Sequence, residues 1–243
     1  MSRQEESKKG IVLKQTDYKD NDAIINVLSQ KGELLSLYAR GVKKTKSKNA
    51  AAVLVFTFAQ FDYFFSQKGL HTLKKAKKIE NYYEGINDYN KIIVAFMLVD
   101  ITLSISRLEV DANIELFKLL KSSLSTIRKV NEHILLAYFL IKILKQQGLY
   151  LNVDNCSICK SQKVSFISYN NGGFICHNCA KDEKVENYDV KILKTFRIIN
   201  KIDIDNLPLL EASEKDSITL VKIVYNFFVN YTGIAIKNFQ KLY

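Results

Sequence analysis

At 243 residues, 47% apolar and 25% charged, the chain has the make-up of a soluble globular protein of one or two domains. No signal peptide is expected, because MSRQEESKKG lacks an apolar core, and no membrane span, because the most apolar run, Ile134 to Leu144, is short and interrupted by Lys142. The net charge of +11 is uneven: residues 1–80 hold 16 Lys+Arg against 8 Asp+Glu, the remainder 20 against 17, so the excess belongs to the first third and points there to a polyanionic partner.

In chain order, the first 80 residues read as strands. Lys9–Gln15 and Ala23–Ser29 are short and rich in Ile, Val and Leu, and Gln30-Lys31-Gly32-Glu33 forms a glycine turn. Leu34–Val42 sets Leu35, Leu37 and Ala39 against Ser36, Tyr38 and Arg40, the alternation of a half-buried strand. Val53–Ser66 is dense in β-branched and aromatic residues, and after the Gln67-Lys68-Gly69 turn Leu70–Ile79 completes five strands. Five short strands without helical period predict a small antiparallel barrel of the OB-fold kind over residues 1–80.

Near Tyr82–Asn87 the period changes, and residues 81–243 read as an all-α domain. Ile92, Phe96, Val99 and Leu103, flanked by Ile93, Met97 and Ile101, predict a broad buried stripe on a first helix. A second helix covers Asn113–Arg128, and a third runs from the N-cap Asn131 to Gly148. Val190–Ile202 and Ser213–Tyr231 are again helical, the latter opened by Ser213-Glu-Lys-Asp216, a variant capping box, with Leu220, Val224, Phe227 and Tyr231 as its seam. The predicted class is therefore α+β, with a cysteine module inserted in the helices at about 152–182.

All four cysteines lie in that module, Cys156 and Cys159 in one Cys-x-x-Cys, Cys176 and Cys179 in a second. Two such knuckles flanking a hairpin with an Asn170-Asn171-Gly172-Gly173 turn predict a zinc ribbon whose four thiolates close the metal's coordination sphere, leaving no open position for catalysis. Two disulfides would need an oxidising compartment, and a redox Cys-x-x-Cys comes singly beside a βαβ pattern. His177, inside the second knuckle, is expected to face solvent.

No catalytic site is legible. There is no G-x-x-x-x-G-K-[ST] loop, and His71, His133 and His177 are scattered. The acidic cluster Asp17, Asp20 and Asp22 is read as a solvated turn, with a metal-dependent nuclease as the rival. The basic residues are more informative. Arg40, Lys43, Lys44, Lys46 and Lys48 follow one another with no acid among them, and Lys68, Lys74, Lys75, Lys77 and Lys78 form a second acid-free cluster. Each cation that neutralises a phosphate releases a counterion, and aromatic rings stack on bases. The interleaved Tyr38, Phe61, Tyr63 and Phe65 thus complete an expected nucleic-acid surface that reads backbone rather than sequence, with Phe61, like Phe56 and Phe58, also fitting the core. An RNA-binding or ribosome-associated factor, or a scaffold meeting an acidic partner, would share this pattern.

The succession of DYKDNDAIINVLSQKGELLSLYARGVKKTKSK, helices, Cys-x-x-Cys, Gly172-Gly173, Cys-x-x-Cys and NYTGIAIKNFQKL resembles the RecO family of bacterial recombination mediators over nearly the whole chain. It lacks the proline often found before AAAVLVF, and lysines replace many arginines. The resemblance implies a non-enzymatic cytoplasmic, nucleoid-associated protein that binds single- and double-stranded DNA and anneals complementary strands. It also implies work with RecR and with the single-strand-binding protein SSB to load RecA. DNA contacts would fall on the connector cations from Arg40 to Lys48, and structural zinc on the four cysteines.

Overall fold

The computed structural model describes residues 4–108, 111–181 and 185–242, so the expected end of the cysteine module at 182 lies outside the described residues. Two compact units divide the chain, Met1–Ser125 and Thr126–Tyr243.

In the first unit, β1 (Glu5–Tyr18), β2 (Asp22–Ser29), β3 (Leu34–Ala39), β4 (Thr57–Phe64) and β5 (Leu70–Asn81) close a barrel in the order β1-β2-β3-β5-β4. The long β1 serves two neighbours: Glu5 to Ile11 pair with β4, Gly10 to Tyr18 with β2, and a register shift between Val12 and Lys14 marks the bend. The parallel pairing of β3 with β5 closes an otherwise antiparallel sheet, as in an OB-fold. Alternation decides what lies inside. Ile25, Val27, Leu35, Leu37, Ala39, Ala59, Phe61 and Tyr63 fill the core, while Asn26, Ser36, Tyr38, Gln60 and Asp62 take the outer face.

Two sequence expectations are corrected here. The fourth strand starts at Thr57, not Val53, because Ala50–Ala52 form a 3-10 turn and Phe56 adopts a left-handed backbone (φ 69°), donating its N–H to the Val12 carbonyl at 3.0 Å. Ala52 and Val53 join the barrel core, Leu54 is exposed, and the buried Phe56 packs on Tyr83 and Phe96, so only the start of the apolar run that reads as strand plugs the barrel. Tyr63, counted among the aromatics for bases, is fully buried, its hydroxyl donating to Glu6 Oε2 at 2.8 Å, and Phe61 is buried as its core reading expects.

Helices α1 (Tyr89–Leu108) and α2 (Ile114–Thr126) belong to this unit. Along α1, Met97, Val99, Ile101 and Leu103 are buried as expected, but Phe96 is 46% exposed and meets Phe56 edge-on, centroids 4.8 Å apart. Gly32, in the β2–β3 turn, is required twice over. Its φ is +87°, and a Cβ there would come within 2.1 Å of the Asn113 backbone, whose N–H bonds to the Gly32 carbonyl at 3.1 Å.

The second unit is built on α3 (Glu132–Gln146), whose residues from His133 to Ile141 are all buried, packed with α4 (Val190–Lys201) and α5 (Glu214–Thr232). The caps are those the sequence predicts: Asn131 Oδ1 accepts from the N–H groups of His133 and Ile134, and Ser213 Oγ accepts from that of Asp216. The short strands β6 (Phe166–Ser168) and β7 (Gly173–Ile175) form the expected hairpin between the two knuckles. At its turn, Gly173 (φ +149°) lies so near Asn152 that a Cβ would fall 2.1 Å from that residue's carbonyl oxygen.

Candidate nucleic-acid interface and metal centre

The connector between β3 and β4 is folded rather than loose. Gly41 N–H donates to Asp22 Oδ1 at 2.7 Å, Lys43 N–H to the Asn21 carbonyl at 3.0 Å, and successive tight turns bond Lys44 to Gly41 and Ser47 to Lys44. Val42 is buried at one end, Ala52 and Val53 at the other. With both ends pinned, the polar residues between have nowhere to go but outward: Arg40, Lys43, Lys44, Lys46 and Lys48 are all exposed.

At the connector's far end, Asn49 Oδ1 accepts a hydrogen bond from the Ala76 N–H at 3.0 Å. Ala76 sits in β5 between Lys75 and Lys77, both exposed. The connector cluster, twenty residues before the second cluster along the chain, is thereby brought against β5. Across β4, Lys75 stands opposite Asp62 and Lys77 opposite Gln60. Lys68 is exposed in the β4–β5 turn.

The cations are not equally available. Lys43 Nζ lies 2.7 Å from Asp17 Oδ2, Lys74 Nζ 2.7 Å from Glu5, and Lys78 Nζ 2.6 Å from Glu84. Such exposed pairs are each worth about 0–1 kcal/mol, so a phosphate can displace them. Among the described residues, Arg40, Lys44, Lys46, Lys48, Lys75 and Lys77 have no carboxylate within 4.0 Å.

Asp17, Asp20 and Asp22 do not converge. Asp17 faces Lys43, while Asp22 is committed to the Tyr38 hydroxyl and the Gly41 N–H, which hold its carboxyl below the usual range. The histidines are equally dispersed. His71 accepts from the Ser66 N–H through Nδ1, and its burial disfavours the charged form; His133 is buried against the Leu242 carbonyl; His177 is exposed and stacks on Phe166. Among the described residues the one convergent group of potential metal ligands is Cys156, Cys159, Cys176 and Cys179, with sulfurs within 4.8 Å of one another.

That spacing suits a metal. Four sulfurs about 2.3 Å from a tetrahedral zinc are about 3.8 Å apart, and Cys159 and Cys176 Sγ lie 3.6 Å apart as free thiols. Both knuckles are tied the same way, Lys160 N–H to the Cys156 carbonyl and Ala180 N–H to the Cys176 carbonyl. Burial resists ionisation of Cys156, but the N–H groups of Cys159, Cys176 and Ile158 outweigh it and bring the thiol down to about 6. The Cys179 thiol is pushed up to about 12 by the crowding of Cys159 and Cys176. The thiols of Cys156 and Cys176 are thus lowered and that of Cys179 raised, a donor set that a dication would complete.

The ribbon's own core is only Cys156, Ile175, Cys176 and Ala180, edged by Val164, Phe166, Cys179 and Val185. It is seated on α4 and α5 by aromatic contacts, Phe174 on Phe196 at 5.7 Å and Tyr169 on Phe227 at 4.8 Å, and by Arg197 Nε donating to the Val153 carbonyl at 2.7 Å.

Residues 1–82 match the family description "Recombination protein O N terminal" and residues 86–238 match "Recombination protein O C terminal". The chain belongs to the recombination protein O family. The resemblance read from the sequence is therefore borne out. Among curated relatives, it is similar to the DNA repair protein RecO of Listeria monocytogenes serotype 4b, 30% identical over 235 residues that cover 94% of this chain and 90% of the relative. It is 34% identical to the RecO of Clostridium acetobutylicum over 178 residues, 72% of this chain and 71% of that protein. To the RecO of Halalkalibacterium halodurans it is 27% identical over 235 residues, 94% and 91% of the two chains. Among the described residues of this RecO-family chain, no helix is long and apolar enough to cross a membrane.

Sequence reading missed the role of Asn49 and the tie between Asp22 and Tyr38. Asn49 looks like an ordinary loop residue, and only the fold reveals its bond to β5. The Asp22–Tyr38 hydrogen bond joins the start of β2 to the end of β3, a pairing that the strand register alone would have placed within reach. Tyr18, in the DYKDND stretch that carries the family resemblance, is 44% exposed beside Tyr38.

Proposed function

We propose that this protein is a non-enzymatic DNA-binding recombination mediator acting in DNA repair. It binds single- and double-stranded DNA through the barrel, anneals complementary strands and, with RecR, helps load RecA onto SSB-coated DNA. The observation that carries this reading is the Asn49–Ala76 bond, which merges the connector cluster and the β5 cluster into one cationic surface. Arg40, Lys43, Lys44, Lys46, Lys48, Lys68, Lys74, Lys75 and Lys77 are the proposed DNA contacts, all exposed. Family membership and the relatives' name, DNA repair protein RecO, support DNA over RNA, while RecR, SSB and RecA as partners are what the resemblance read from the sequence implies.

On this reading residues 1–80 are the nucleic-acid-binding domain, and residues 81–243 are the helical domain, with the cysteine module holding structural zinc. The site of action is the cytoplasm, at the nucleoid. Annealing asks for no nucleophile: screening two phosphate backbones at once lowers the repulsion that keeps complementary strands apart.

The test is a strand-annealing assay on naked and SSB-coated strands at two salt concentrations, with RNA of equal length as competitor and magnesium or manganese present. Faster annealing that weakens with salt, DNA left uncut and RNA competing poorly are expected. Cleaved DNA would point to an enzyme, and preferred RNA to a translation or ribosome factor.

A further inference from the structure

The outer barrel surface carries an exposed tyrosine next to the connector. Tyr18 ends β1 and is 44% exposed, whereas Tyr63, a core tyrosine of the same barrel, is 0% exposed. Its ring meets that of Tyr38 at 86°, centroids 5.7 Å apart. Tyr38 is itself immobilised, its hydroxyl donating to Asp22 Oδ2, while Asp22 Oδ1 accepts from the Gly41 N–H at 2.7 Å. Tyr18 therefore rests against a fixed neighbour, and the residue stays 44% exposed. Cations surround it. Lys19 Nζ lies 5.5 Å from the Tyr18 centroid, Arg40 is near enough to bias Asp22 and Tyr38, and Lys43 is held by Asp17, the residue before Tyr18.

We propose that Tyr18 is a stacking seat for an unpaired base. Resting on the nucleic-acid reading given above, it makes this part of the barrel favour single strands over duplex. An exposed ring against a fixed neighbour accepts a nucleobase of any sequence, because every base has a π face. The adjacent ammonium and guanidinium groups hold the flanking phosphates. Lys19, long and exposed, swings from the ring to a phosphate when the base arrives. Paired bases are already stacked on each other, so duplex DNA meets only the cations. The position agrees with the general OB-fold pattern, in which the strand 2–3 face and the loop between the first two strands bind oligonucleotides.

The experiment compares wild-type protein and Tyr18→Ala on three probes of equal length at fixed salt: a thymidine oligonucleotide, an abasic sugar–phosphate strand and a duplex. Expected is a loss of about 5- to 100-fold on the thymidine strand, with abasic and duplex affinities unchanged and Tyr18→Phe close to wild type. Equal affinity of Tyr18→Ala and wild type for the thymidine strand, or an equal loss on the abasic strand, overturns the proposal while leaving the nucleic-acid reading intact. Wild-type protein that binds none of the probes overturns that reading instead. The chain has no tryptophan, so Tyr18→Trp supplies a sole reporter in a residue of similar shape. Its fluorescence should be quenched by the thymidine strand and not by the abasic one, and quenching by neither or by both counts against the seat.

Discussion

Asp17 and the connector lysines allow the phosphate-binding reading to be tested in both directions. Lys44, Lys46 and Lys48 are exposed with no carboxylate within 4.0 Å among the described residues, so changing all three to alanine removes cations without orphaning an acid. Each single-strand phosphate contact contributes about 0.7 to the slope of log K against log salt, so the triple variant should lose about 2 units of slope. At about 0.1 M salt that is about 100-fold in affinity, and the two proteins should converge near 1 M. Asp17→Asn acts oppositely. It removes the ion pair that a phosphate must displace from Lys43, 2.7 Å from the carboxylate, and should tighten binding by up to about 5-fold at 0.1 M with the slope little changed. Fluorescence anisotropy over a salt series gives both slopes, and a thermal melt checks that the fold, which none of these exposed side chains supports, is unchanged. A triple variant with wild-type slope would place the phosphates elsewhere, and an Asp17→Asn variant that binds more weakly would remove Lys43 from the contact set.

Three further predictions concern the supports of the site. Zinc analysis should give one ion per chain, and a chelator or Cys176→Ser should lower the melting temperature of the helical unit, because a core of Cys156, Ile175, Cys176 and Ala180 cannot hold the ribbon alone; equal melting with and without metal would disprove this. Gly173→Ala should destabilise by about 2 kcal/mol or more, since it places a methyl 2.1 Å from the Asn152 oxygen at a left-handed φ of +149°; a calorimetric change within about 0.5 kcal/mol would mean that the close approach relaxes freely. The Tyr38 hydroxyl, first, and the Gly41 N–H hold Asp22 below its ordinary value of 3.8, so the folded pKa is depressed and the contribution is present above that value and lost as pH falls through the folded one. Exchange protection of the Gly41 amide should therefore drop in acid in the wild type and stay level in Asp22→Asn; parallel curves would show that the latch does not titrate.

How much of this was legible beforehand depends on whether the cause is local. The knuckles, the Asn131 and Ser213 caps and the Leu35-Leu37-Ala39 alternation are set by residues within one turn or one strand of each other, and the structure has them where the sequence places them. Val53 to Phe56 defeated the reading because apolar, β-branched residues suit a strand and a barrel plug equally; a left-handed backbone at Phe56 decided between them. Phe96 defeated it differently: the helical period is correct, but Phe56 supplies an edge-on partner for a ring that stays 46% exposed. The two basic clusters were each visible. Their junction was not, because it rests on one amide of Asn49 reaching β5, a contact no periodicity encodes.

That junction bears on why a fold would leave so many lysines without partners. Exposed ion pairs return about 0–1 kcal/mol each, so the barrel forgoes little by omitting them. Like charges crowded on a mobile loop would spread apart and dilute their field. Here the Asp22–Gly41 bond, the turns from Gly41 to Ala50 and the burial of Val42 and Val53 hold the loop in shape. The repulsion is thus offset by the packing of the barrel, and it is relieved when polyphosphate arrives. On the proposed reading, a surface prepared in this way binds backbone wherever backbone is offered, on one strand or two. Its selectivity must then come from what lies between the cations, which is where an exposed ring such as that of Tyr18 can separate a strand whose bases are free from one whose bases are already stacked.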